Sequence, residues 1–148
     1  MSPARGSGGC GQSRRTVRLA SFVVRHPGLT ASSVAARLVD EGLRMDEHPG
    51  VVFREGPMGR RATLVGGPDV WEVIRAVRSA RSAESDLPPS ELLELVEENT
   101  GVPRRLLNTA VEYWAAYPEE VEALLAHAER IEAERVRSSE RAHGLLEG

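Results

Sequence analysis

Glycine and proline cut this 148-residue chain into short segments, and their positions limit its architecture more than any other feature. Pro27-Gly28, Gly56-Pro57-Met58-Gly59, Gly66-Gly67, Pro88-Pro89, Gly101 and Pro118 all fall between stretches with apolar periodicity. Proline fixes φ and lacks a donor N–H, and glycine weakens an element interior, so elements begin and end here. The stretch "EHPGVVFREGPMGRRATLVGG", residues 47–67, shows this best. Residues 51–54 and 61–65 are β-prone runs, and the Gly-Pro-Met-Gly between them predicts a hairpin with a longer loop.

Upstream, residues 1–13 are Gly/Ser-rich and predict a disordered leader. "RTVRLA" alternates, which predicts a short strand with Arg14, Thr16 and Arg18 on one face and Val17 and Leu19 on the other. "SFVVRHP" allows one or two turns of helix. Thr30 is a good N-cap for a helix on which Val34, Leu38, Val39 and Leu43 recur at helical spacing. Downstream, Asp69 caps a helix whose predicted buried stripe is Val70, Val73, Ile74 and Val77. "ELLELVEEN" and "PRRLLNTAVEYWAAY" flank Gly101 as a helix-turn-helix outline, the second with Leu106, Leu107, Ala110, Val111 and Trp114 as its apolar face. Pro118 starts a last helix, whose tail beyond Arg137 is expected to fray.

The expected fold is therefore mainly α, with a short N-terminal strand, a central β-hairpin and a C-terminal helix-turn-helix-like bundle. The expected segments are a leader (1–13), a DNA-binding arm (14–46), a hairpin plus helical domain (47–125) and a charged helical tail (126–148).

Composition narrows the function classes. With 41% hydrophobic and 28% charged residues the chain reads as soluble and globular. No apolar run is long enough for a membrane span, and no signal peptide opens the chain, so a cytoplasmic protein is expected. Cys10 is the only cysteine, which excludes an internal disulfide. All nineteen basic residues are arginine. Without lysine there is no P-loop lysine, Schiff base or pyridoxal-phosphate attachment. His26, His48, His127 and His143 lack the i, i+4 pairing of a metal helix, and adjacent Asp46, Glu47 and His48 point in different directions. Neither an enzyme nor a cofactor is expected.

Charge is split along the chain. Residues 1–81 hold thirteen Arg against seven acids, and residues 82–148 hold six Arg against fifteen acids. A basic front and an acidic back suit two partners of opposite charge. Arg14, Thr16 and Arg18 have the chemistry to read base edges, and the helix start at Thr30, Ser32 and Ser33 can hold a backbone phosphate. Arg60 and Arg61 on the hairpin are secondary candidates for phosphate contacts. Arg104, Arg105 and Asn108 are the alternative DNA-binding set, although residues 86–122 carry nine acids and two arginines, and Glu97 stands where a small residue is wanted.

Two family resemblances rest on these segments. "RTVRLA…GLTASSVAARLVDEGLRM" resembles a ribbon-helix-helix (CopG/Arc-type) DNA-binding arm, with an unusually short first helix. "GRRATLVGGPDVWEVIRAV…LPPSELLELVEENTGVPRRLLNTAVEYWAAYPEEVEALL" is similar to the family called domain of unknown function 433, whose members include VapB-type antitoxins paired with PIN-like ribonuclease toxins. The likeness covers roughly residues 48–125, and "AVEYWAAYPEEVEALL" is its most specific part. These resemblances imply a homodimeric antitoxin and autorepressor that binds operator DNA through its front. Tyr117, Glu119, Glu120 and Leu124 would then cover a PIN-like toxin. The alternatives are a stand-alone transcription regulator and a small enzyme holding a phosphorylated substrate through Arg60 and Arg61.

Overall fold

A computed structural model describes residues 9–148, with side chains from Arg14 onward. The chain divides into two compact units, one ending at Arg44 and one spanning Met45–Gly148. It is mainly helical, with one two-stranded hairpin among the described residues.

In the first unit the expected strand is instead part of a helix, α1, Gly9–Val24. Alternation over Thr16 to Leu19 is too short to separate a period of 2 from one of 3.6. The half-buried residues Leu19, Phe22 and Val23 follow helical spacing. A lone strand would also leave its N–H and C=O groups without a ladder partner, whereas a helix pairs them internally. Residues 9–13 of the expected disordered leader belong to α1, and the rest of that leader lies outside the described residues.

Gly28, at φ +90°, turns the chain toward α2, Ala31–Glu47. Thr30 and Ser33 cap α2 reciprocally. The Thr30 hydroxyl accepts the Ser33 N–H at 3.1 Å, and the Ser33 hydroxyl accepts the Thr30 N–H at 3.1 Å. Val34 is buried as expected, but Leu38, Val39 and Leu43 are exposed.

The second unit opens with strands β1, Val51–Arg54, and β2, Arg61–Leu64, paired antiparallel with Val51 opposite Leu64 and Arg54 opposite Arg61. Gly56 and Gly59 exchange two backbone hydrogen bonds across the loop, and Gly59 takes φ +85°. Four helices follow: α3, Val70–Ala83; α4, Pro89–Thr100; α5, Arg104–Ala116; and α6, Pro118–Glu147. α3 packs against α4, α5 and α6. The core joins Val51 and Leu64 of the hairpin to Val70, Val73 and Ile74 of α3 and to Leu107, Ala110 and Tyr113 of α5. Tyr113, which the apolar pattern of α5 passes over, is fully buried, and its hydroxyl donates to the Glu120 carboxylate at 3.2 Å.

Only the first part of α6 reaches this core, through Val121 and Leu125. The helix is 30 residues long, about 45 Å. From Glu129 onward every residue is exposed, yet the helix runs to Glu147 instead of fraying at Arg137. Glu134 accepts from Arg137 at 2.9 Å and Arg141 at 3.0 Å, and His143 lies 3.0 Å from Glu147. Side-chain pairs three and four residues apart support a helix that packing does not. The Arg137 and Arg141 hydrogen bonds hold the Glu134 carboxyl below its ordinary range.

A second polar link closes the bundle. The Arg78 guanidinium of α3 makes two hydrogen bonds to Glu122 of α6, one of them at 3.0 Å, and the Trp114 indole N–H of α5 donates to the same carboxylate at 2.9 Å. The Arg78 hydrogen bond, then that of Trp114, holds the Glu122 carboxyl below its ordinary 4.5. A carboxyl so depressed stabilises the fold above its unfolded pKa, and the stabilisation disappears as pH falls through the folded value. Urea unfolding of wild type and Glu122→Gln should therefore differ at neutral pH, with wild type the more stable. The gap should close as the pH drops below about 4.5.

Candidate functional site

Helical phase rearranges the predicted DNA-reading face. At about 100° per residue, Arg18 lies about 40° from Arg14, Arg25 about 20° and Ser21 about 20° on the other side. Arg14, Arg18 and Ser21 form one exposed stripe along α1, and Arg25, also exposed, follows in the turn just after its last residue, Val24. Thr16 is about 200° away, on the opposite side of the helix, so it does not join Arg14 and Arg18 as a strand would have had it. The α1 sequence has no acidic residue, and no ion pair to Arg14, Arg15 or Arg18 is present among the described residues. Arg25 is steadied by the last turn of α1, Nε donating to the Ser21 carbonyl at 3.3 Å. Ser21 and Arg25 escaped the reading by alternation. The 14, 18, 21, 25 spacing is the signal that reveals them.

The α2 start offers less than expected. Thr30 and Ser33 satisfy each other, so the Ser33 N–H is already taken, while Ser32 is exposed. The outer side of α2 carries Ala36, Val39 and Leu43 within about 60° of one another, all exposed.

In the second unit the hairpin arginines have structural partners. Arg61 Nε donates to Asp69, a buried carboxylate that also accepts from Thr63 Oγ1 at 2.8 Å and Trp71 Nε1 at 3.2 Å. The Asp69 N–H in turn donates to Glu72 at 2.9 Å, capping α3. The Arg61 guanidinium lies across Gly56, where a Cβ would collide with it. Arg60 lies 3.8 Å from Glu55. Arg61 therefore ties β2 to the N-cap of α3. His48 is half-buried, with its ring edge-on to Tyr113 and Tyr117 at centroid distances of 5.4 and 5.9 Å.

The helix-turn-helix outline is present, with Gly101 at φ +72° ending α4. Its chemistry is turned inward. Glu97 accepts the Arg104 N–H at 2.9 Å, placing a carboxylate where a phosphate would meet the start of α5. The Arg104 guanidinium donates to the Ser90 carbonyl at 2.7 Å. Arg105 and Asn108 are exposed. Most of the expected partner-binding set is likewise engaged. The Tyr117 hydroxyl donates to Glu47 at 3.0 Å, Glu120 accepts from Tyr113, and Leu124 packs on the core, leaving Glu119 exposed.

Among the described residues no three His, Cys, Asp or Glu side chains cluster as metal ligands, and no helix is long and apolar enough to cross a membrane. In comparison with known proteins, the chain matches no family model, no curated protein and no solved structure.

Replacing Asp69 with Ala leaves three buried or half-buried donors unpaired. The expected loss is roughly 2–4 kcal/mol in urea unfolding. A change within about 0.5 kcal/mol would mean that the carboxylate does not hold the hairpin on α3.

Proposed function

We propose that the protein is an operator-binding autorepressor and the antitoxin of a toxin–antitoxin pair. Its DNA-binding surface is the basic side of α1, not a strand. The observation that carries this reading is the stripe of Arg14, Arg18, Ser21 and Arg25, in a part of the chain where residues 1–44 hold seven arginines against two acids. Arginines along one side of a helix neutralise phosphates or reach guanine edges in the major groove, whereas the Ser21 hydroxyl is already donated to the Val17 carbonyl at 2.9 Å. The second unit, with twelve arginines against twenty acids, carries a net negative charge, which disfavours a polyanion.

A homodimer is supported by Ala36, Val39 and Leu43 on the outer side of α2, which lose their exposure when two copies pair. A toxin partner rests on the family resemblance. Its contact surface is better sought on α6 past Glu129, where all residues are exposed, than at Tyr117, Glu120 and Leu124, which serve the fold.

The test uses a duplex from upstream of the protein's own coding sequence. Arg18→Ala should weaken binding several-fold and lower the salt dependence by roughly one unit of log–log slope. Thr16→Ala, on the far side of α1, should leave both unchanged. Loss of binding in Thr16→Ala with none in Arg18→Ala would reverse the assignment of the face. Truncation after Glu132 spares the core and should abolish neutralisation of a co-expressed PIN-like neighbour. Retained neutralisation would place the toxin contact elsewhere.

A further inference from the structure

The second unit contains a cleft of about 660 Å³ between the hairpin, α3 and α6. Four arginines from four elements line it, Arg54 of β1, Arg61 of β2, Arg75 of α3 and Arg135 of α6, in a unit where acids outnumber arginines twenty to twelve. The acids of the lining are largely committed. Asp69 serves Arg61, Thr63 and Trp71, and Glu72 caps α3. Glu132 lies 3.9 Å from Arg75, and both side chains are at least half exposed. Such a surface pair contributes little and yields readily to a better anion.

Arg54 and Arg135 remain. Both are exposed, and neither side chain makes a hydrogen bond or ion pair among the described residues. Arg75 is held in a defined place because its guanidinium lies over the Trp71 ring, 5.0 Å from the centroid. The rest of the lining is apolar: Pro57 and Met58 from the hairpin loop, Ala128 and Ile131 from α6.

We infer that this cleft binds a small amphipathic molecule with one oxyanion head, a phosphate monoester or its equivalent. Arg54 and Arg135 grip the head, Arg75 joins them by leaving Glu132, and the apolar body lies along Met58 and Ile131. Guanidinium groups suit this task because their N–H groups match two oxyanion oxygens at once. A polyphosphate is disfavoured because Glu72 and Glu132 also line the cleft. The inference concerns the second unit alone and does not depend on operator binding.

The probe is phenyl phosphate, titrated into the full-length protein by calorimetry and by following the two tryptophan indole N–H resonances, assigned with Trp114→Phe. Saturable binding with Kd near or below about 1 mM is expected, with a shift of the Trp71 resonance. Arg54→Ala and Arg135→Ala should each weaken it about tenfold, the effect of one charge-assisted hydrogen bond. Arg105→Ala, at an exposed position of α5 outside the cleft, should not change it. Both cleft variants alter exposed side chains, and unchanged melting curves will confirm that they fold. Absence of saturable binding, or an equal loss in Arg105→Ala, overturns the site. Inorganic phosphate binding as tightly as phenyl phosphate overturns the amphipathic class of ligand.

Discussion

The second unit is organised around the Asp69 carboxylate, where a two-stranded hairpin and a four-helix bundle become one structure. A hairpin alone is marginal in water because two strands bury too little surface. Here its inner side supplies Val51, Ala62 and Leu64 to the bundle core, and its polar rim converges on Asp69. Arg61 and Thr63 reach the carboxylate from β2, Trp71 reaches it from α3, and a β-bridge pairs the backbones of Thr63 and Asp69. A buried carboxylate is costly unless its lone pairs are filled, and three side-chain donors fill these. The same residue starts α3, which packs on every other helix of the unit, so the register of the hairpin and the placement of the bundle share one anchor.

Around that anchor the polar residues divide by task. Glu97, Glu120 and Glu122 look on paper like members of a uniform acidic surface, yet each holds two elements together. Glu97 caps α5 from α4, Glu120 receives the buried Tyr113 hydroxyl, and Glu122 clamps Arg78 and Trp114 to α6. Arg61, Arg78 and Arg104 are similarly engaged. The charges left over are those able to meet other molecules: the arginine stripe of α1, Arg54 and Arg135 at the cleft, and the exposed charges of α6.

Some of this was legible beforehand for clear reasons. The hairpin at residues 51–64, the cap at Asp69, the break at Gly101 and the helix start at Pro118 depend on backbone chemistry local to those residues, so reading the chain locates them. Val70, Val73 and Ile74 of α3 and Leu106, Leu107 and Ala110 of α5 were legible as core too, while the buried Trp71 and Tyr113 were not, because an amphipathic ring gives no clear signal in an apolar pattern. The N-terminal segment is not legible in this way, because four alternating residues fit either period, and only the helical phase of α1 separates Thr16 from Arg14 and Arg18 and brings Ser21 beside them.

The sequence by itself determined where the elements between residues 51 and 118 start and stop, the absence of lysine chemistry, and the segregation of basic and acidic residues along the chain. Those properties follow from composition and from backbone preferences acting over a few residues. Only the tertiary structure decided which charges remain available. Whether Arg61 meets a ligand or Asp69, and whether Glu97 faces solvent or an N–H of α5, depends on neighbours brought together by folding. A hydrogen bond of about 3 Å is set by that geometry, which sequence spacing does not encode.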